Sequence, residues 1–414
     1  MKEKRDFTFL SGKSRCGVLK GRKGTAGSAT NSKKSEILLQ PYTFSLILEG
    51  DSDMISRQNR LHPCILPTPL NIETITMKYK NENLFPACHV AMPATADHQR
   101  APFYLAAEEY IAARLPEDNY FFSWILAPTV VMGRNQVARQ EINLQFCKEE
   151  GIDIIRRKSG GGCIYADNGN IMFSLVTGAG NVEPLFAAYA DHMADALRKA
   201  CAEVSVSGRN DIVLDGHGKI CGNAFYHLAQ RNIVHGTMLY DTDFRRMSGA
   251  LHPDEQKLKA AGVKSVRSRV GLLKDVLQLD IEALRRHITT ELTNREIRLT
   301  EEDMKNIRII EEKYYEPEYL FGRNAPTDSI TRSKRIEGCG RIDLHLTLRD
   351  GIIGDIDLTG DFFPQGDFKA AFHQAFTGLP FTAVAVKEAI GRIQPETLIR
   401  GLPKIKLIDL LIDN

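Results

Sequence analysis

The order of helical and strand patterns predicts an α+β protein with a mixed sheet, followed by a smaller α+β unit. Three observations support this fold class. Helix and strand patterns mix without forming βαβ repeats, the composition is that of an ordinary globular protein, and the chain changes character near residue 322. With 414 residues, of which 43% are hydrophobic and 26% charged, two or three units are expected.

The elements of the larger unit follow from composition and spacing. Good helix formers or apolar residues at helical spacing predict helices at residues 102–114, 141–151 and 185–203. β-formers predict strands at residues 121–132 (a strand pair or hairpin around Trp124), 153–157, 171–176 and, joined by turns at 215–218 and 230–232, at 212–239.

The smaller unit begins with a predicted hairpin. Apolar residues alternate over 341–349 and again over 352–358, and Asp350 and Gly351 form the turn between them. A helix at 368–376 and a terminal amphipathic segment follow.

Charge and cysteine usage exclude several classes. A net charge of +2 argues against a dedicated nucleic-acid binder, and the absence of an 18-residue apolar run argues against a membrane partner. The eight cysteines form no C-x-x-C pair, which indicates reduced thiols in a cytosol-like compartment and argues against a zinc site.

Two arginines stand directly before three glycines at residues 156–162, a combination suited to holding an anion. Glycines leave backbone N–H groups free to face phosphate or carboxylate oxygens, and arginine adds planar charged donors. A glycine triplet by itself is more often a flexible turn. Neither G-x-G-x-x-G nor G-x-x-x-x-G-K-[ST] occurs, which excludes the Rossmann and P-loop motifs.

Further segments appear in a fixed order around this glycine loop. They are Val-Met-Gly-Arg-Asn-Gln at 131–136, Gly-Arg-Asn-Asp at 208–211, Lys-Ile-Cys-Gly-Asn-Ala at 219–224, His-Gly-Thr at 235–237 and a basic segment at 257–270. Together with the loop they resemble the motifs of the lipoate-protein ligase family, strongly over residues 80–325 and more weakly to Asn414. The resemblance implies the biotin/lipoate ligase-like fold, shared with biotin protein ligases and class II tRNA synthetases. It divides the chain into an extension at 1–80, a catalytic domain at 81–325 and a C-terminal accessory domain at 326–414.

The resemblance also implies the reaction and its partners. Such ligases use ATP and Mg²⁺ to convert lipoate to lipoyl-AMP with release of pyrophosphate, and then transfer the lipoyl group to a lysine. The acceptors are the lipoyl domains of 2-oxo-acid dehydrogenase complexes and the glycine cleavage H protein.

The matching positions supply the candidate site residues. Lys219 is the expected catalytic residue, because an ammonium between a carboxylate and an α-phosphate stabilises developing charge. Asp211 is the expected Mg²⁺ ligand. ATP and lipoyl-AMP are expected to contact Arg157, Ser159, Gly160, Gly161, Gly162, Cys163, Ile164, Tyr165, Asn210 and Lys219, and lipoate to contact Lys219, Gly222 and His235.

Simpler roles remain open for some of these residues. A lysine between glycines also suits an exposed turn, and His235, Asp167 and Asn170 are as readily satisfied core or turn residues. Arg156 is expected to be structural.

Two positions depart from the family pattern. Ala166 and Cys221 stand where the family often has histidine and serine, which leaves open whether lipoate or octanoate is preferred. Cys163 and Cys221 also keep a second enzyme open, an octanoyltransferase of the same fold that uses a cysteine thioester and no ATP. A binding protein that retained the fold is a third interpretation.

The first 80 residues differ from the rest. Between residues 2 and 34 there are ten basic and two acidic residues, without apolar periodicity. A transit peptide, a disordered basic arm or a start codon placed too far upstream would each give such a segment. We favour the last two, because Met77 stands where chains of the family usually begin. A cytoplasmic protein is therefore expected, or an organellar one if residues 1–76 are a transit peptide.

Overall fold

A mixed sheet forms the centre of the structure, a computed structural model that describes residues 84–93, 99–207, 211–228, 230–252, 270–324, 326 and 329–412. The predicted extension at 1–80, Asn210 and most of the basic segment at 257–270 lie outside the described residues. The strands are β1 Ala87–Ala91, β2 Tyr120–Trp124, β3 Thr129–Met132, β4 Asp153–Arg156, β5 Ile164–Ala166, β6 Asn170–Gly178, β7 Val204–Ser207, β8 Asp211–Leu214, β9 Gly218–Leu228, β10 Arg231–Leu239, β11 Thr293–Arg298, β12 Ile330–Ile336, β13 Gly340–Arg349 and β14 Ile352–Gly360.

The described helices pack on this sheet, on strand β3 and its neighbours, or within the C-terminal domain. They are α1 Ala101–Arg114, α2 Ala138–Glu141, α3 Leu144–Glu149, α4 Val182–Lys199, α5 Phe244–Ala250, α6 Ile281–Leu292, α7 Glu301–Glu311, α8 Pro317–Phe321, α9 Phe368–Phe376, α10 Ala383–Arg392, α11 Pro395–Leu398 and α12 Lys404–Ile412. None of these helices combines the length and the apolar character that crossing a membrane requires.

The central sheet has the order β11-β1-β2-β6-β10-β9-β8-β7. Most neighbouring strands are antiparallel, whereas β1 runs parallel to both β2 and β11. Successive side chains of a strand point to opposite faces, and Phe121 and Phe122 accordingly lie in separate cores. Helices α4 and α6 cover the first core, and α1 and α7 cover the second. The α+β fold class predicted for this unit is confirmed.

The predicted strand pair at 121–132 is only half right. Both strands exist, but β3 pairs with β4 and β5 in a separate sheet and makes no pair with β2. The connection at 125–128 contains Pro128 and no glycine or asparagine that could take the left-handed conformation of a tight hairpin turn.

Two predicted helices have different bounds. The helix predicted at 141–151 is the shorter α3, Leu144–Glu149, because α2 ends at Glu141 and Asn143 accepts the Phe146 N–H to start a new helix. Asn181 likewise caps α4, which begins at Val182 and ends at Lys199 rather than spanning 185–203. Strands β1, β5, β7, β11 and β12 and helices α5–α8, α10 and α11 were not predicted.

The C-terminal domain packs α9, α10 and α12 against the sheet β12-β13-β14 around its own apolar core. The predicted hairpin is confirmed as β13 and β14. Its turn residues Asp350 and Gly351 have φ angles of 50° and 76°, as a two-residue turn between twisted strands requires. The predicted helix at 368–376 is α9.

Candidate functional site

The glycine loop follows β4 and is shaped by one buried arginine. Arg157 donates from Nη2 to the carbonyls of Gly160 and Gly162, at 2.6 and 2.9 Å. Its Nη1 reaches the Val131 carbonyl at 2.9 Å and its Nε reaches Ser159 Oγ at 2.8 Å. Burial lowers the pKa of Arg157 to about 10, so it stays charged at neutral pH. The guanidinium here holds the loop rather than facing solvent, and phosphate contact by Arg157 stays a prediction that would need the loop to rearrange.

The neighbouring arginine ties the loop to the rest of the domain. Arg156 donates to the carbonyls of Gly133 and Gln136 on one side and of Tyr319 and Leu320 on the other. These bonds join the end of β3 to α8, which agrees with the structural role predicted for Arg156.

Ser159 stands in a line of buried polar groups. Its Oγ lies 2.7 Å from His235 Nε2, and His235 Nδ1 lies 3.0 Å from Glu108 Oε1. Ser159 and Glu108 are fully buried, and His235 is 6% exposed. Both ring nitrogens of His235 thus have protein partners, so this arrangement does not present His235 as the direct lipoate contact predicted from the sequence.

Helix α1 supplies two glutamates to this side of the site. Next to Glu108, Glu109 accepts from Lys158 Nζ at 2.5 Å and from the Tyr314 hydroxyl at 2.6 Å. The sequence reasoning treated both glutamates only as helix formers. A signal was present, since they are the acidic residues of a helix whose residues from Ala101 to Ala112 are otherwise apolar, and all of these are buried.

A β-bulge places Lys219. Ile212 pairs with Cys221 and the next residue, Val213, pairs with Lys219, so Ile220 has no partner in the register of β8 and β9. Bulges bend the strand and re-aim the side chains beside them. The direction of the Lys219 side chain is therefore set by local backbone geometry.

Lys219 and Asp211 form an ion pair. Lys219 Nζ donates to Asp211 Oδ1 at 2.6 Å, and the two side chains are 25% and 21% exposed. The ammonium lies close above Gly222, because a Cβ at that position would be 2.7 Å from Nζ. The structure thus brings together three of the predicted site residues, and any side chain at position 222 would displace the lysine.

The buried line that contains His235 and the ion pair of Lys219 with Asp211 both lie on the strand pair β9 and β10. His235 pairs with Ala224, and Gly222 pairs with Thr237. Two residue positions along a strand correspond to about 7 Å. The loop side of the site and the Lys219 side are therefore neighbours across one strand pair.

A segment of the C-terminal domain covers the glycine loop. The Gly161 N–H donates to the Phe362 carbonyl at 3.1 Å. The Phe363 ring is 1% exposed and stacks on Phe225, with ring centroids 5.5 Å apart. A backbone donor expected to face ligand oxygens is thus occupied by a carbonyl of the protein itself.

Other contacts hold the C-terminal domain in this position. Arg400 pairs with Glu183 at 2.5 Å and lies over the Phe186 ring, 5.2 Å from its centroid. The Gly360 N–H donates to the Asn135 carbonyl at 3.0 Å. The covering segment is therefore anchored on both sides of the loop.

The remaining predicted contacts lie beyond the loop. Cys163 and Ile164 are partly buried, whereas the Tyr165 side chain is buried in the core of the β4-β3-β5 sheet, which raises its pKa. Only the backbone of Tyr165 is available to a ligand in this arrangement. Asp167 and Asn170 bond the backbone of their own turn, as satisfied turn residues do.

The thiol of Cys221 is buried in the core. Burial raises its pKa to about 12, and Sγ lies 3.4 Å from Asn223 Oδ1. A thiolate is the nucleophilic form of cysteine. Cys221 is therefore poorly suited to form a thioester.

Asp211 is a plausible metal ligand only for an ion that brings most of its own ligands. No group of three or more His, Cys, Asp or Glu side chains among the described residues could hold a metal ion. Mg²⁺ commonly keeps several waters and binds one or two carboxylates plus substrate phosphates. The single partly exposed carboxylate of Asp211 fits such an ion and does not fit an all-protein site.

Comparison with known proteins gives two family matches in chain order. The model of the lipoyl protein ligase A/B catalytic domain matches residues 100–293, and that of the bacterial lipoate protein ligase C-terminus matches residues 325–411. A structure of P. falciparum LipL1 in complex with lipoate has a TM-score of 0.62 at 16% identity, covering 74% of this chain and 94% of that one. A bi-partite lipoate protein ligase of Thermoplasma acidophilum has a TM-score of 0.51 at 24% identity, covering 58% and 98%. At these identities the structures establish a shared fold.

Sequence relatives extend the match. Lipoate-protein ligase 1 of Staphylococcus aureus is 35% identical over 272 residues, which are 64% of this chain and 82% of the relative. Lipoate-protein ligase LplJ of Bacillus subtilis is 33% identical over 319 residues, 74% of this chain and 95% of the relative. With nearly the whole of that relative covered and both parts of the chain matched, the protein belongs to the lipoate-protein ligase family.

Proposed function

We propose that the protein is an ATP-dependent lipoate-protein ligase that forms lipoyl-AMP and transfers the lipoyl group to a lysine of an acceptor domain. The observation that carries the proposal is the Lys219 ammonium, held beside Asp211 above a residue without a side chain. It is a partly exposed positive charge next to a glycine loop with backbone donors.

In the first step, a carboxylate oxygen of lipoate attacks the α-phosphorus of ATP and the bond to pyrophosphate breaks. Two anions must approach each other, and negative charge grows on the phosphate oxygens. Lys219 would lie between them and offset this charge, which a preorganised cation does at little reorganisation cost. Backbone N–H groups of residues 160–162 would bind the remaining oxygens.

In the second step, the acceptor amine attacks the acyl carbon, AMP leaves with the bonding electrons, and the amine loses a proton. The acyl-adenylate stays bound until the acceptor arrives, so the site must exclude water in the interval. The buried loop side of the site suits this requirement.

Asp211 would hold the Mg²⁺ that accompanies ATP. When bound, the ion would supply positive charge to the phosphate oxygens. Asp211 pairs with Lys219 in this structure, and an Asp211 carboxylate engaged elsewhere would leave the Lys219 ammonium to face the substrate carboxylate.

We also propose that the accessory domain moves during the reaction. The Phe362 carbonyl occupies the Gly161 N–H, and Phe363 covers the loop. An adenylate that uses this donor must displace the segment. Scattering profiles with and without lipoyl-AMP should therefore differ, and identical profiles would contradict the movement.

The acceptors are proposed from chemistry and from a relative. The Thermoplasma acidophilum structure comes from a lipoylation system described as a bi-partite lipoate protein ligase and its E2 lipoyl domain. We propose that this protein modifies lipoyl domains of 2-oxo-acid dehydrogenase complexes and the glycine cleavage H protein. A cytoplasmic location and the division at residues 80 and 325 belong to the same proposal, with an organellar location if residues 1–76 act as a transit peptide.

The octanoyltransferase alternative is not favoured. It requires a reactive cysteine, and the raised pKa of Cys221 disfavours the thiolate there. The C-terminal ligase match over residues 325–411 also favours the ligase.

The decisive experiment measures the intact mass of an unmodified lipoyl domain after incubation with the protein, lipoate and Mg²⁺, with and without ATP. We expect a lipoyl-sized gain only with ATP. A gain only when octanoyl carrier protein replaces lipoate and ATP would contradict the ligase and support the transferase.

A further inference from the structure

A run of hydrogen bonds connects the glycine loop to helix α1. It passes from Arg157 Nε to Ser159 Oγ, then to the two ring nitrogens of His235 and to the Glu108 carboxylate, with spacings of 2.8, 2.7 and 3.0 Å. None of these groups is open to solvent, since the most exposed of them is His235 at 6%. Glu108 lies at the far end, away from the loop.

The Glu108 carboxylate accepts hydrogen bonds from two hydroxyl groups. The Ser174 hydroxyl lies 2.6 Å from Oε1 and the Tyr226 hydroxyl lies 3.3 Å from Oε2. Ser174 itself accepts from Trp124 Nε1 at 3.0 Å, so its own proton is available for Glu108. A carboxylate that receives these donors also accepts from His235 Nδ1.

This sets the direction of the remaining bonds. With its proton on Nδ1, a neutral His235 has a lone pair on Nε2 and accepts from the Ser159 hydroxyl. Ser159 in turn accepts from Arg157 Nε. Every bond from Arg157 to Glu108 then points the same way, and reversing one would leave a buried donor facing a donor.

We propose that Glu108 and His235 are positioning residues that act through Ser159 to hold the glycine loop in its ligand-binding conformation. The inference rests on the proposed ligase function, because it assigns the loop to the acyl-adenylate. Neither residue needs to touch the ligand. Their contribution is to fix the Ser159 hydroxyl, and with it the direction of the backbone N–H groups that follow.

The test is a double-mutant cycle with Glu108→Gln and Ser159→Ala. Glutamine keeps the size of Glu108 but replaces one acceptor oxygen with a donor. The rate measured is lipoate-dependent exchange of pyrophosphate into ATP, as kcat/KM for lipoate. Each single variant should lose about 10- to 100-fold, and the double variant should lose no more than Ser159→Ala alone.

Glu109→Gln is the matched control. Glu109 is the next residue of α1 and is 8% exposed, but its partners are Lys158 and Tyr314. The fold-losses in kcat/KM caused by Glu109→Gln and by Ser159→Ala should therefore multiply in the double variant, as they do for independent sites. Thermal unfolding of each variant separates loss of fold from loss of activity, and His235→Gln replaces Glu108→Gln in the cycle if the latter does not fold.

The outcomes are distinct. Losses for Glu108→Gln and Ser159→Ala that multiply, as in the Glu109 cycle, would overturn the positioning role while leaving the ligase intact. Absence of lipoate-dependent exchange in the unaltered protein would overturn the proposed function and this inference with it.

Discussion

The two sides of the candidate site are built differently. On the loop side, Ser159 and Glu108 are fully buried and are joined through His235 by contacts of 2.7 and 3.0 Å. On the other side, Lys219 and Asp211 are 25% and 21% exposed and hold each other in one charged contact. Buried hydrogen-bond networks resist rearrangement, whereas a partly exposed ion pair can exchange partners at small cost. The contrast supports the proposed roles, in which the loop side would hold the ligand and the Lys219 side would rearrange around it.

The largest effect is expected from the exposed side. Lys219→Ala should slow adenylate formation by about 10³-fold while leaving the unfolding temperature unchanged, since removing one charge-stabilising group commonly costs 10²–10³. The measurement is pyrophosphate exchange together with thermal unfolding. Lys305→Ala is the control, because Lys305 is 74% exposed and pairs only within its own helix. Near-normal exchange in Lys219→Ala would contradict the assignment.

A smaller effect is expected from the covered loop. In Gly160→Ala the new Cβ would lie 2.3 Å from the Phe362 carbonyl oxygen and 2.9 Å from Phe363 Cα. We expect a loss of about 1–3 kcal/mol in the free energy of unfolding, the usual cost of overpacking. Denaturant titration measures it. Gly180→Ala is the control, because a Cβ there meets nothing within 4 Å; equal stability of the two variants would show that the loop is less confined than described.

The smallest effect concerns the buried thiol of Cys221. Because burial raises the pKa of Cys221 to about 12, it stays protonated at pH 8 and should not react with iodoacetamide, whereas the exposed Cys201 should. Peptide mass analysis distinguishes them. Cys221→Ser should stay within about threefold of normal activity, because the side chains are similar in size and the new hydroxyl would have Asn223 Oδ1, 3.4 Å from Sγ, as an acceptor. Complete loss would revive the cysteine route.

The spatial proximity of residues could be predicted from the sequence for the exposed side of the site but not for the buried side. Asp211, Lys219 and Gly222 lie within a dozen residues on adjoining strands, so two motifs close together in the sequence indicate their proximity. Glu108 lies 127 positions before His235, and their contact depends on how α1 packs on the sheet. A local sequence pattern cannot predict a contact between residues so far apart in the chain.

The same reasoning applies to the fold. The hairpin of β13 and β14 was predicted because alternation and turn chemistry are local. The sheet to which β3 belongs depends on partners more than twenty residues away, such as Ile155. The contact of residues 362–363 with the loop joins two domains, and no local sequence pattern predicts it.

The bond between the Gly161 N–H and the Phe362 carbonyl has a consequence for ligand affinity. A ligand that needs this donor binds only the fraction of molecules in which the segment has withdrawn, and its apparent dissociation constant rises by the inverse of that fraction. If the segment covered the loop in nine molecules out of ten, the apparent affinity for a small ligand would fall about tenfold. A ligand that also fills the space beside Phe225 would displace Phe363 as well. If the proposed domain movement occurs, residues 362–363 would compete with such a ligand for the loop, in the manner of an intramolecular inhibitor.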